Sequence, residues 1–290
     1  MRAMATIECG QSSLTIDGQP VLIAMPDHIT TEPDARGAGV FLRAAAGAPG
    51  DRHVFPVGRI AGLRRFVCCH RTGHPWWMRP ATGTRTREIP VETQFLLAEL
   101  PAGRYALVLP ILDEPFRGVL EGRDDDQLLL IVETGDTATA GTGATALFVA
   151  VGDDPYRLMH DAARSIAARL QTVRLREEKP LPAFIDQFGW CTWDAFYQQV
   201  SHEKVREGLQ SFAEGGVQPR FLILDDGWQS VLALSDTAGP FRLTAFAANA
   251  KFPGDLAPTV AMAKGEFGVR TVIAWHAFQG YWSGVDPAAF

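Results

Sequence analysis

The sequence predicts a two-part β plus α/β protein: an N-terminal β-sandwich followed by the first three β/α units of a (β/α)8 TIM barrel. Three observations carry this. Residues 1–152 hold a series of short apolar or alternating runs bounded by Gly, Pro and Asp, without helical punctuation. Residues 183–290 alternate strand-like and helix-like runs, the pattern of a parallel sheet with helical crossovers. Polar and aromatic residues gather where each strand-like run of this second part stops. Parallel barrels and open α/β sheets carry their ligand sites at such strand ends.

In the first part the candidate strands include Val21–Ala24, Val40–Leu42, Phe66–Cys69, Phe95–Glu99, Tyr105–Pro110, Phe116–Glu121, Leu128–Thr134 and Ala146–Val151. Asp124, Asp125 and Asp126 read as a solvated turn, and the glycine-rich stretch 140–146 as a hairpin turn. The period changes at Asp154. This residue suits a helix N-cap, Pro155 suits the first helical position, and Tyr156, Met159, Ala163, Ile166 and Leu170 recur at helical spacing. Residues 153–182, ending in a charged, proline-bearing run, are expected to be a helical linker.

The second part opens with a strand over Ile185–Cys191. Ser201 caps a helix that Gly215 and Gly216 stop. Arg220–Leu224 is nearly all apolar, as a strand covered on both faces should be. A long loop over Gly227–Gly254 is expected next, then a helix capped by Asp255, then a strand over Val269–Trp275. Three β/α units do not close an eight-stranded barrel. The expectation is therefore an N-terminal portion of a longer protein, inactive by itself.

Composition narrows the function. The 290 residues suit about two domains, and 47% hydrophobic with 21% charged residues is ordinary for a soluble globular protein. A net charge of -6 makes no electrostatic case for nucleic acid or an anionic membrane. No apolar run reaches the roughly 18 residues of a transmembrane helix. The opening residues lack a long apolar core and a small-residue cleavage site. Cys9, Cys68, Cys69 and Cys191 are too few for a disulfide framework, so reduced thiols and a cytoplasmic location are expected.

The candidate site residues are Trp193, Asp225, Asp226, Trp275 and His276, all at strand ends. Neighbouring residues on one strand point to opposite faces, so Asp225 and Asp226 flank a scissile bond badly. At a strand end both carboxylates can instead accept from different hydroxyls of one sugar. Trp193 and Trp275 offer flat apolar faces to the C–H side of a sugar ring, and His276 a donor to a hydroxyl. Each also has a plain structural reading: Asp pairs cap helices, tryptophans fill cores and a lone histidine is often a satisfied structural residue. Trp190 reads as core. Cys191 reads as a small buried residue, with no activating base nearby in sequence. Cys68-Cys69-His70 and His74 lack the Cys-x2-Cys spacing of a zinc site, and no metal or cofactor is expected.

Several stretches carry a family resemblance: FGWCTWDAFY (188–197), GGVQPRFLILDDGWQS (215–230), AKFPG (250–254) and VIAWHAFQGYWSGV (272–285). Upstream, PWWM (75–78), VETQFLL (91–97), VLPILDEPFRGVLEG (108–122) and VETGD (132–136) add to it. Together they resemble the raffinose synthase and seed imbibition protein group, with the alkaline α-galactosidases, in glycoside hydrolase family 36. The resemblance implies retaining chemistry on α-galactosides of the raffinose kind, by hydrolysis or by galactosyl transfer. It implies that Trp193, Asp225 and Asp226 hold the galactose and that Trp275 lines the same pocket. The nucleophile, in a Lys-x-Asp motif, and the acid/base aspartate are expected C-terminal to Phe290. Two other readings compete: a non-catalytic carbohydrate-binding protein, and a metal-dependent barrel hydrolase using Asp225, Asp226 and His276. A homo-oligomer is compatible with the sequence.

Overall fold

The computed structural model describes residues 5–10, 12–72, 77–113, 115–233 and 241–290. Gly73, His74, Pro75, Trp76 and Glu114, which belong to stretches quoted above, lie outside the described residues. The chain divides into two compact units, Met1–Lys179 and Pro180–Phe290.

The first unit is mostly β-sheet. Its strands are β1 Ile7–Gly10, β2 Ser13–Ile16, β3 Gln19–Ile23, β4 Ile29–Pro33, β5 Val40–Gly50, β6 Arg52–Ile60 and β7 Arg65–His70. They continue with β8 Arg79–Gly83, β9 Thr93–Glu99, β10 Tyr105–Pro110, β11 Leu112–Asp113, β12 Phe116–Gly122, β13 Leu128–Glu133 and β14 Gly141–Gly152. All belong to one hydrogen-bonded sheet ordered β1-β2-β3-β6-β13-β12-β9-β10-β14-β5-β4, with β7 and β8 joined at β9 and β11 at β12. Val21, Leu42, Leu96, Leu130 and Val149, from strands far apart in that order, share a single core. The sheet therefore folds over its own apolar face.

The glycine-rich stretch 140–146, expected as a turn, lies within β14 from Gly141 onward. Gly143 is what lets it pair there: a Cβ on this residue would stand 2.0 Å from the Ala44 carbonyl oxygen. Register shifts flank it, and the second, between Thr145 and Leu147, resets the alternation of the strand. β6 also escaped detection, because Pro56 and Gly58 sit inside it. They fall opposite the irregularity between Leu128 and Leu129, where a strand tolerates both residues.

The segment 153–182, expected as a helical linker, carries a helix that packs on the first unit's sheet. Helix α1, Pro155–Leu170, is capped by Asp154, whose side chain accepts from the Tyr156 and Arg157 amides. Leu158 and Ala162 pack on Phe41, Leu107 and Phe148 of the sheet's outer face. This is why β14 is buried continuously from Ala144 to Gly152: one face lies in the core and the other lies under α1. Asp34, 4% exposed, anchors the helix by accepting from Ser165 Oγ at 2.6 Å and from the Ala38 amide at 3.0 Å.

The second unit begins with β15, Gly189–Cys191, then short helix α2, Trp193–Phe196, and α3, His202–Glu214. It continues with β16 Phe221–Leu224, β17 Gln229–Ala233, β18 Phe241–Ala248, α4 Ala257–Gly265 and β19 Thr271–Ala274. β15, β16 and β19 form a parallel sheet in that order. Leu222 and Leu224 pack against Val205 and Leu209 of α3 and Met262 and Ala263 of α4. Trp190 is core, as expected: its ring meets Phe196 and Phe212 edge-on, and a Cβ on Gly208 of α3 would lie 2.2 Å from it. Within the expected long loop 227–254, the residues of β17 and β18 pair antiparallel instead, and residues 234–240 lie outside the described residues. Asp255 does not cap α4. Its side chain turns back and accepts from the Ala248 amide at 2.9 Å, bracing the end of β18.

Replacing Ser165 with Ala removes a hydrogen bond to a buried carboxylate. The expected cost is about 1.5–3 kcal/mol, read as a lower urea midpoint at unchanged slope.

Candidate functional site

The parallel register sets the level of each side chain. Gly189, Trp190 and Cys191 pair with Phe221, Leu222 and Ile223, which continue to Thr271, Val272 and Ile273. The Thr192 amide donates to the Ile223 carbonyl, and the Trp275 amide to the Leu224 carbonyl. One step past Leu224 and Ala274 this register places Asp225 and Trp275 at one level, while beyond β15 the chain turns helical at Thr192 and Trp193 opens α2.

Alternation separates the two aspartates. Leu222, Leu224 and Asp226 are buried, while Phe221, Ile223 and Asp225 are half-buried. Asp225 therefore shares a side with Ile223, away from the apolar pair that packs on α3 and α4. It is held without being enclosed. Its amide donates to Thr192 Oγ1 at 3.1 Å, its Oδ1 accepts from the Asp226 amide at 2.7 Å, and its Oδ2 accepts from Cys191 Sγ at 3.1 Å. Cys191, expected as a small buried residue, is instead exposed as a residue because it lies at the open end of β15. Partial desolvation of its thiol, with Asp225 adding to it, raises the thiol above its ordinary value, while the Trp193 amide pulls the other way. The thiol is thus a neutral donor at pH 7 rather than a nucleophile.

Asp226 is 3% exposed and saturated with donors. Tyr281 donates its hydroxyl to Oδ1. Gln198 Nε2 and Trp282 Nε1 donate to Oδ2 at 3.2 and 3.1 Å. Burial first, then the carboxylate, pushes the Tyr281 phenol well above its ordinary range, so it stays a donor. Lys251 donates to the Gln198 carbonyl, and its ammonium is pushed down by burial and by Lys204, with Asp226 opposing. Gly227 makes the approach to this loop possible. It has φ 110°, and a Cβ there would lie 2.6 Å from Gln198 Cα.

The aromatic residues divide similarly. Trp193, half-buried, stands edge-on to Tyr197 with ring centroids 5.2 Å apart. Trp275 is wedged between Tyr281 at 5.8 Å and Trp282 at 5.4 Å, and its carbonyl accepts from Trp228 Nε1 at 2.9 Å. His276 is exposed, and its Nδ1 lies 2.8 Å from Gln229 Nε2. The structure thus brings all five sequence-selected residues to the strand ends. Sequence reasoning missed Gln198, Tyr281, Trp282 and Asn249. Asn249 ties β18 to the loop after β16 by donating to the Gly227 and Gln229 carbonyls at 2.9 and 3.0 Å. All four lie inside or directly beside motif stretches already quoted; only their long-range partners were invisible.

A mostly β-sheet unit followed by parallel strands with carboxylates and aromatics at their ends defines the class. The sequence matches the family described as "Raffinose synthase or seed imbibition protein Sip1" over residues 7–290. The chain belongs to this family. It is 37% identical over 321 residues to probable galactinol–sucrose galactosyltransferase 6 of Arabidopsis thaliana, covering 99% of this chain and 43% of that protein. The rice (Oryza sativa subsp. japonica) galactinol–sucrose galactosyltransferase is 37% identical over 315 residues, 95% of this chain and 40% of its own length. The chain thus spans less than half the length of these relatives. Among solved structures, the α-galactosidase TtGalA from Thermus thermophilus in complex with stachyose overlaps with a TM-score of 0.45 at 19% identity, over 85% of this chain and 51% of that one.

Two outcomes are expected. Tyr281→Phe leaves Asp226 short of one donor, costing about 1–3 kcal/mol and speeding amide hydrogen exchange across residues 278–286. Alkylation of Cys191 by iodoacetamide, followed by mass spectrometry against pH, rises only above the ordinary thiol range of about 8.5.

Proposed function

We propose that this chain forms the galactose-recognition part of an enzyme that cleaves or transfers α-galactosyl groups of raffinose-like oligosaccharides with retention of configuration. The observation that carries this reading is Asp225: a half-buried carboxylate that accepts two hydrogen bonds, its backbone fixed by a third, at the strand ends where Trp275 and, at the start of α2, Trp193 also stand. Family membership and the names of the galactosyltransferase relatives give that constellation its substrate. In this reading β15, β16 and β19 open a (β/α)8 barrel, with α3 and α4 on its outside and the site at the C-terminal strand ends.

The roles follow from the surroundings. Asp225 accepts from hydroxyls of the non-reducing galactose. Trp193 and Trp275 present apolar ring surface to its C–H groups, and His276 stands at the rim with a donor for a hydroxyl of the substrate. Asp226 belongs to the same recognition group, but its part is to hold the Tyr281–Trp282 loop, because its oxygens are already bound and it is closed to solvent. Retaining chemistry needs two carboxyl groups about 5–5.5 Å apart on either side of the bond. Asp225 and Asp226, divided between two sides of one strand end, do not supply that geometry. Bond cleavage falls to other carboxylates, and water or a sugar hydroxyl then receives the galactosyl group.

In the complete protein, Asp225→Asn removes charge-assisted acceptance while keeping shape. A loss of roughly 10–100-fold in kcat/KM on α-galactosides is expected. Unchanged turnover by a folded variant would remove Asp225 from the sugar site. A complete protein that binds raffinose without turning it over would instead favour a non-catalytic carbohydrate-binding protein.

A further inference from the structure

The β17–β18 hairpin follows the two aspartates in sequence and places an aromatic ring beside His276. Gln229 pairs with Ala248, but the next residue, Ser230, pairs with Ala245. Phe246 and Ala247 are left out of the ladder as a bulge, a device that re-aims side chains. The Phe246 ring turns to His276, with centroids 5.3 Å apart and planes at 54°, and also meets Phe290 at 5.4 Å. It is nevertheless 66% exposed. On its other side His276 is held by Gln229, itself 2% exposed. With the Gln229 amide donating to Nδ1, the neutral imidazole carries its proton on Nε2. An exposed apolar ring and an N–H donor thus stand together one residue beyond Trp275. The hairpin is fastened in this position at both ends, by the Leu243–Val285 bridge and by Asn249.

We propose that Phe246 and His276 form a second sugar subsite, which takes the ring bonded to the galactose: the leaving sugar in cleavage and the acceptor sugar in transfer. The chemistry matches one occupant. A pyranose has an apolar C–H face for the Phe246 ring and hydroxyls at its edge for His276 Nε2–H. His276 directly follows Trp275 at the end of β19, so the subsite belongs to the same set of strand ends as the proposed galactose position. The proposal rests on the α-galactoside reading above and deepens it, because it names the residue that selects the partner sugar.

The test compares two substrates in the complete protein. α-Galactosyl fluoride has a leaving group too small to reach the subsite; raffinose has a sugar there. The readout is the ratio of kcat/KM for raffinose to kcat/KM for the fluoride. Phe246→Ala and Phe246→Leu both lower this ratio about 3–10-fold, and Phe246→Trp restores it to within about twofold of wild type. Using Leu as well as Ala keeps apolar bulk in case the smaller variant does not fold. A ratio unchanged in the folded Leu variant overturns the subsite while leaving the α-galactoside reading intact. A wild-type protein that turns over neither substrate overturns that reading, and the subsite with it.

Discussion

The second unit is organised by one buried carboxylate. Asp226 has lost its water, and an ion in that position is tolerated only where hydrogen bonds replace hydration. Its donors come from two loops distant in sequence: Gln198 from the turn after α2, and Tyr281 and Trp282 from the segment after β19. The carboxylate itself sits at the end of β16. One residue thus ties together the loops that follow all three parallel strands. Neighbouring bonds complete the tie, from the Asp225 amide to Thr192 Oγ1 and from Trp228 Nε1 to the Trp275 carbonyl. The parallel ladder fixes the strands, and this polar knot joins the loops that follow them.

That division explains why two adjacent aspartates suit a recognition site. Residues next to each other on a strand face opposite ways, so one carboxylate can be spent inside the protein while the other stays accessible. Asp225 gains from its neighbour directly, since the Asp226 amide donates to its Oδ1. Cys191 supplies a further donor that stays protonated because burial and Asp225 both disfavour the thiolate. The accessible carboxylate is therefore aimed before any ligand arrives, which lowers the ordering cost of binding.

Much of this was legible in the sequence where the signal is local. The caps at Asp154 and Ser201 are made as their residue types suggest. The apolar run ending at Leu224 is a strand, and the carboxylates fall where it stops. What escaped is what tertiary context decides. Gly143 and Pro56 look like turn residues, yet bulges and a close backbone pass make them strand residues. Asp255 precedes a helix and looks like its cap, yet the hairpin claims its side chain. Residues 227–254 read as a loop because β17 and β18 are irregularly paired, and irregular pairing blurs the period-two signal. In the site, residue type revealed Asp225 and Asp226 as a pair. It did not reveal their difference, because Tyr281 lies 55 positions from Asp226.

The same irregularity gives the hairpin a distinct physical place in the fold. The three strands are committed: Leu222, Leu224 and Val272 pack with α3 and α4 or beside them, and a change there disturbs the unit's core. β17 and β18 pair chiefly with each other, and Phe246 lies on a bulge with most of its ring in solvent. Substitution at such a position costs little folding free energy. The strand ends thus stand on residues whose burial holds the unit together, whereas the Phe246 ring does not. A change of the Phe246 ring therefore leaves the packing beneath Asp225 undisturbed.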